Sequence, residues 1–420
     1  MSMKNADGTH RVVITGMGAI SPAGIGVEAL WDAVMNKKCG IDMIEHFDTT
    51  EYDTHVAGEV KNFDPTEHGL SKKEARRFAR FVQYAIVASD EAIAQSGLDI
   101  NSVDATRIGC LFGSGIGGLD EFQNGCDTIR TKGPKRVNPL FIPTMVSNMA
   151  AGNLSIRYGL KGECADIVTA CATGTHNIGS AFRSIRFGYL DAALAGGSEE
   201  SITPVGIAGF SNLGALTKAD DPKNASLPFD INRGGFVAGE GAGAVVLESL
   251  EHATARGAKI IAEIVGFGST ADAYHMTAPD PEGEGLVRAM SQALAEGGFT
   301  PHDLGHMNAH GTATPINDRT ESAALQSLYG EGFDNIPVVS IKGVTGHTLG
   351  AAGALEAIVT ALSVAQNVVP PTTGFSTADP ECPVRVLTDP LENYEQKVAV
   401  SNSLGFGGHN GSLAIAPYRA

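Results

Sequence analysis

Ten strand-like segments, falling in two series of five, constrain what this chain can fold into more than any other feature. The first series reads RVVITGMG (11–18), RIGCLFGSG (107–115), ADIVTACATG (165–174), DAALAGGSEE (191–200) and GAGAVVLES (241–249). The second reads KIIAEIVGFG (259–268), HMNAHGTAT (306–314), VVSIKGVTGH (338–347), KVAVSNSLGFGG (397–408) and SLAIAP (412–417). Helical patterns separate them, the alternation of an α/β protein. In each series the third member is strand-like, then offers a reactive-looking residue, then Thr-Gly and a run of small residues. This predicts a duplicated α/β unit, one half at 1–258 and the other at 259–420, with chemistry in the cleft between them.

Composition narrows the class. A chain of 420 residues can bury a large core, and its net charge of −17 repels a phosphate backbone, which excludes a general nucleic-acid binder. The six cysteines (39, 110, 126, 164, 171, 382) form no CxxC pair and no metal-type spacing with histidine. That pattern fits free thiols in a reducing compartment. The opening MSMKNADGTH lacks the apolar core of a signal peptide, and no uninterrupted run approaches the roughly 18 apolar residues of a membrane span. A cytoplasmic protein that crosses no membrane is expected.

Cys171 lies between a β-branched run and ATGTHNIG, where a helix begins. A lone cysteine is most often a small buried hydrophobe. At a helix start, however, free backbone N–H groups favour the thiolate, and the same donors can hold an oxyanion on an attached acyl group. The helix that follows places Ile178, Phe182 and Ile185 on one stripe, with Arg183 and Arg186 off it. Gly174 and Gly179 weaken helix propensity and so predict close packing. Cys164, seven residues earlier, lacks this setting and reads as structural.

Two histidines follow strand-like runs in glycine- and threonine-rich loops, His310 in NAHGTATPIND and His347 in SIKGVTGHTLGAAG. A loop histidine is usually just hydrogen-bonded, but strand ends of α/β proteins are where active-site loops gather. Lys342 is flanked by Ile341 and Gly343 at a strand end, an uncommon place for a solvated lysine. One cysteine, two histidines and one lysine make an acyl-transfer set. The GSGIGG at 113–118 matches a dinucleotide loop, but the acidic residue expected about 20 positions later is missing, so a nicotinamide enzyme is set aside.

The blocks TACATG, NAHGTATP, KGVTGHTLGAAG and SNSLGFGGHNG resemble the signatures of the β-ketoacyl-acyl-carrier-protein synthases. FDINRGGFVAGEGAG (229–243) and DAYHMTAPDPEG (272–283) extend the likeness over nearly the whole chain, nearest to the dimeric condensing enzymes II of bacterial fatty acid synthesis. The resemblance implies a thiolase-like fold and decarboxylative condensation of an acyl group with malonyl-acyl carrier protein. It also implies a homodimer, acyl carrier protein as partner, and no metal or organic cofactor. By resemblance Cys171 is the acylated nucleophile, His310 and His347 drive malonyl decarboxylation, and Lys342 supports them. Phe406 is the gate, with its N–H in the oxyanion hole beside that of Cys171. Thr312 and Thr314 meet the pantetheine arm, Ile116 lines the acyl pocket, and Thr277, Gly405 and Gly407 fall at substrate-binding positions. Asn308, Ala309, Glu356, Asn402 and Ser403 match a site where some members hold a structural monovalent cation.

The chain departs from the family at Leu227, where arginine is common, at Gly234 for aspartate, at His409 for threonine, and at Asn317–Asp318. Two basic stretches stand out against the acidic background. KKEARRFAR (72–80) carries five positive charges and one negative, and RTKGPKR (130–136) four positive. Such runs are commonly just solvated faces. Here Lys73, Arg77, Lys135 and Arg136 are expected to dock the acidic carrier protein. Within the same fold the alternatives are a polyketide ketosynthase, a thiolase using coenzyme A, and a non-catalytic chain-length partner. The last is disfavoured by the presence of Cys171.

Overall fold

The computed structural model describes residues 3–419, and each of the ten strand-like segments contributes to a strand. In the first half these are β1 (Val12–Ser21), β2 (Ile108–Gly113), β3 (Cys164–Ala165), β4 (Ala192–Glu199) and β5 (Gly241–Ser249). In the second they are β6 (Ala262–Ala271), β7 (Leu304–Asn308), β8 (Pro337–Val339), β9 (Val398–Gly405) and β10 (His409–Pro417).

Both sets lie in the same spatial order, β1-β5-β4-β2-β3 and β6-β10-β9-β7-β8. Directions agree as well. β5 runs antiparallel to β1 and β4, while β4, β2 and β3 are mutually parallel. In the second set β10 runs antiparallel to β6 and β9, while β9, β7 and β8 are parallel. The two sets are not separate sheets. Val12–Ile14 of β1 pairs with Ala262–Ile264 of β6, joining them edge to edge into one sheet that two short strands, Gly24–Ile25 beside β1 and Arg385–Val386 beside β8, bring to twelve.

Helices cover both faces. α1 (Arg80–Ser96) packs on β1, β5 and β4, and α3 (Glu284–Glu296) on β6, β10 and β9. Between the two strand sets lie α2 (Thr173–Arg186) and α4 (Ala352–Gln366), each touching strands of both. Strand glycines make the outer packing possible. A Cβ on Gly18 would lie 1.8 Å from the Ala88 carbonyl oxygen of α1, and one on Gly268 would lie 1.8 Å from that of Ala289 in α3. Each strand set thus meets its covering helix backbone to backbone.

The central position of α2 corrects the expectation of a one-sided stripe. Ile178, Phe182 and Ile185 are buried as expected, but so are Thr175, His176, Asn177 and Arg186. Arg186 is held at Asp7 (2.9 Å) and over the Phe182 ring, so this arginine is part of the interior. Gly174 and Gly179 do permit close approach, since a Cβ on Gly179 would sit 2.3 Å from the Phe267 ring. Among the described residues one stretch, Leu349–Gln366, is long and apolar enough to cross a membrane, and 83% of it is buried within the fold. Its apolarity is that of a core helix.

Candidate active site

Cys171 sits in a 3₁₀ turn, Ala170–Ala172, that runs directly into α2. Ala170 before it is left-handed, with φ 51°. Ala313, between Thr312 and Thr314, and Leu349, two residues past His347, are left-handed too, at φ 65° and 46°. Such backbone costs a non-glycine residue about 1–3 kcal/mol, and it gathers where geometry is over-determined by its surroundings. All three turns converge on one cavity.

That cavity, of about 390 Å³, is lined by Cys171, His310, His347, Thr277, Thr312, Thr314, Gly405 and Phe406, with Phe210, Phe236 and Leu349 as apolar wall. The Cys171 sulfur and one ring nitrogen each of His310 and His347 lie within 4.8 Å of one another. The imidazoles meet edge to face at 4.9 Å between centroids, and Phe236 packs edge-on against His347 at 5.2 Å. Thr312 and Thr314 share a hydroxyl hydrogen bond of 2.9 Å.

Lys342 lies behind this surface, 1% exposed, and donates to the His310 carbonyl oxygen and to the Glu356 carboxylate. Glu321 accepts from the backbone N–H of His310 (2.7 Å) and Gly311 (2.6 Å) and from Asn317 Nδ2 (2.8 Å). Asp318 accepts from Phe229 N–H at 2.8 Å. The Asn317–Asp318 pair thus serves the frame behind His310. Glu321 takes these donors from its own helix and from the loop just before it, and Glu356 takes Lys342 from 14 residues earlier.

Electrostatics correct one expectation. Burial pushes the Cys171 thiol up to about 12, and the nearby Glu199 charge adds to this. The Lys342 charge and the backbone N–H groups of Phe406 and Cys171 pull the other way without overcoming burial. The resting group is a thiol, whereas the helix-start argument gave a thiolate. The turn does aim N–H groups at the sulfur, but an apolar shell with Ile202, Ile207, Phe236 and Leu349 outweighs them. Burial, reinforced by the Lys342 charge, holds both histidines well below their usual pKa and therefore neutral. Each neutral ring has one N–H to donate.

Other expected residues are placed apart from the cavity. Gly407 is exposed in the Phe406–Gly408 turn that links β9 to β10. Ile116 is 41% exposed and lines a separate surface depression with Phe122, Val146 and Val168. Lys73 and Arg77 are exposed on the short helix Lys72–Arg77, and Lys135 and Arg136 on the turn Pro134–Arg136. Arg77 lines a small hollow with Leu140 and Pro143, a few residues past the second basic segment. Cys164 is exposed, with Ser155 Oγ 3.2 Å from its sulfur. Gly234 borders the main cavity with open space where a side chain would be, and His409 is half-buried at the start of β10.

The candidate cation site has two unsatisfied buried oxygens, Asn308 Oδ1 and Glu356 Oε2. The residues are neighbours, because Asn308 Nδ2 donates to the Glu356 carbonyl at 3.1 Å. Oxygen is the donor type such a cation takes, and the Lys342 ammonium already supplies a counter-charge to Glu356. The side chains of Asn402 and Ser403 are engaged elsewhere, with Ser412 (2.8 Å) and Thr175 (2.7 Å), and Ala309 has only its backbone to offer.

Comparison with known proteins follows the same layout. The beta-ketoacyl synthase N-terminal domain matches residues 9–253 and the C-terminal domain residues 261–376. The chain is 50% identical over 410 residues to a 3-oxoacyl-[acyl-carrier-protein] synthase 2 of Staphylococcus aureus, covering 98% of this chain and 99% of the relative. It is 48% identical over 408 residues to the protein of that name from Vibrio harveyi, covering 97% and 98%. Among solved structures, a beta-ketoacyl synthase from Burkholderia phymatum superposes with TM-score 0.91 at 34% identity, covering 98% of this chain and all of that one. A type II polyketide ketosynthase, solved with its acyl-carrier protein and a bound hexaketide, gives 0.90 at 31% identity, covering 98% of this chain and 100% of that one. With both domains matched in order and half the residues shared along almost the full length of its relatives, this chain belongs to the beta-ketoacyl synthase family.

Proposed function

We propose that the protein is a 3-oxoacyl-[acyl-carrier-protein] synthase that lengthens fatty acyl chains by two carbons, with Cys171, His310, His347, Lys342 and Phe406 as its working residues. The observation that carries this reading is the placement of a cysteine sulfur and two neutral imidazoles within 4.8 Å of one another in a buried cavity. In the first half-reaction the Cys171 sulfur attacks the thioester carbonyl of an acyl-carrier protein. The carrier's sulfur leaves with the thiol proton, and the N–H groups of Cys171 and Phe406 face the transient oxyanion. In the second, His310 and His347 donate to the malonyl thioester oxygen as carbon dioxide departs. The enolate carbon then attacks the Cys171 thioester, a carbon–carbon bond forms, the carbon–sulfur bond breaks, and Cys171 regains a proton. Lys342 and Glu321 fix the His310 loop. A monovalent cation would be held there by Asn308 Oδ1 and Glu356 Oε2, the buried oxygens left without a donor.

Greater identity to the fatty acid enzymes (50% and 48%) than to the polyketide ketosynthase (31%) favours a single extension over iterated chain building. Mass spectrometry of the product from acyl- and malonyl-carrier protein tests this. One β-ketoacyl extension supports it, and a poly-β-ketone contradicts it.

Phe406 stands in a three-residue turn whose next two residues, Gly407 and Gly408, are left-handed at φ 89° and 75°, the backbone freedom on which the proposed gate turns. Phe406→Ala should alter the rate of acyl loading across chain lengths while leaving the melting temperature near the parent value. Unchanged loading kinetics would remove the gate.

Acyl carrier protein docks, in this reading, on the face carrying Lys73, Arg77, Lys135 and Arg136, where complementary charge steers association. Reversing these residues in pairs to glutamate should cut carrier-protein turnover and its salt sensitivity, while Cys171 keeps its reactivity toward a small uncharged thiol reagent. Parent-level turnover at low salt would place docking elsewhere. A second copy of the chain is the proposed cover for the apolar surface of Ile116, Phe122, Ile142 and Val168, which are 41–58% exposed beside the edge strand β3. Ile116 would then line the acyl path only once that copy closes the depression. The six free cysteines support a cytoplasmic location. The halves 1–258 and 259–420 are proposed as the two units between which this site formed.

A further inference from the structure

Glu199 ends β4 with no exposed surface, yet no step of the condensation uses it. Its carboxylate accepts from Ser114 Oγ (2.6 Å) and from the backbone N–H groups of Gly115 (3.0 Å), Ile116 (3.4 Å) and Gly350 (3.0 Å). All four donors are neutral. They come from the glycine-rich 114–116 loop on one side and from the turn after His347 on the other.

The space around the carboxylate is closed by glycines. A Cβ on Gly115 would meet both Glu199 Oε2 (2.8 Å) and the carbonyl oxygen of Ala170 (3.0 Å), the residue before Cys171. A Cβ on Gly350 would meet Gly115 N (2.4 Å) and Glu199 Oε2 (2.8 Å). The Gly115 backbone is therefore held between the carboxylate and the turn that carries the nucleophile.

We propose that Glu199 is a positioning residue for the condensation site: one carboxylate ties the 114–116 loop to the Leu349–Gly350 turn, with that loop packed against the Ala170 backbone beside Cys171, and its charge opposes that of Lys342 on the thiol. This rests on reading Cys171 as the acylated nucleophile. The groups bearing on the sulfur are then Lys342 and Glu199, with His310 and His347 beside it. The histidines are held neutral through the neutral pH range, and burial raises Glu199 to about 7. Below that pH Glu199 is protonated and its push on the thiol is absent. Above it the charge is present and the thiol is harder to ionise.

The test is the pH dependence of Cys171 alkylation by iodoacetamide, read by mass spectrometry of the peptide carrying that residue. In the parent the rate should climb by less than a decade per pH unit through neutrality, because thiolate formation and Glu199 ionisation oppose each other. In Glu199→Gln the climb should be a full decade per unit, with a rate at pH 8 about tenfold above the parent, a shift of about one pKa unit. Glu199→Asp keeps the charge on a shorter arm. Its slope should match the parent while acyl transfer from carrier protein slows. A Glu199→Gln profile that superimposes on the parent overturns the proposal. If that variant does not fold, a uniform one-decade slope in the parent alone overturns it. Alkylation reports the thiol and not the acyl-enzyme, so a failed nucleophile assignment would show separately, as loss of the acyl adduct at Cys171 with the alkylation slopes intact.

Discussion

Replacing Cys171 with alanine is expected to abolish condensation while the protein stays folded. No other cysteine of the chain lines the cavity that holds His310 and His347. The site tolerates the change because Cys171 is a small buried residue among apolar neighbours, between Ala170 and Ala172. Alanine keeps the backbone turn and its N–H groups, so the stability change should stay within about 1–2 kcal/mol. Labelled acyl-carrier protein added to the purified variant should leave no label on the chain. A folded Cys171→Ala protein that still becomes labelled would mean that the acyl group rides elsewhere.

His310→Ala and His347→Ala should each lower the malonyl half-reaction by about 10²–10³, the usual loss when one positioned oxyanion donor is removed. Acylation of Cys171 should fall far less. The asymmetry follows from charge. The rings are neutral and cannot hold the thiol's proton at rest, whereas a neutral N–H suits an oxygen that becomes negative as carbon dioxide leaves. Single-turnover acylation and carbon dioxide release can be timed separately. Equal losses in both steps for both variants would contradict the division of labour.

Much of this architecture was legible in the sequence because it is local. Strands such as Val12–Ser21 and Val398–Gly405 announce themselves by β-branched residues, and His310 and Lys342 come two and three residues after the ends of β7 and β8. What depends on distant partners was not legible. The edge pairing of Val12–Ile14 with Ala262–Ile264 merges the sheets, and nothing near either segment marks it. Arg186 lies off the apolar stripe, and Asp7, the partner that holds it inside, is 179 positions away. Glu199 collects donors 85 and 151 positions distant, so its sequence neighbourhood carries no sign of them. The thiol went the wrong way for the same reason. A helix start is visible in the sequence, but the apolar shell that outweighs it comes from residues 202, 207, 236 and 349.

The most direct measurement follows the Cys171 peptide by mass through one catalytic cycle. After incubation with acyl-carrier protein, the peptide carrying Cys171 should gain the mass of the acyl group. After malonyl-carrier protein is added, that mass should disappear as carbon dioxide and a carrier-bound β-ketoacyl chain two carbons longer appear in equal amounts. An extended product formed with no acyl adduct on Cys171, or an adduct that persists when malonyl-carrier protein is present, would contradict the account.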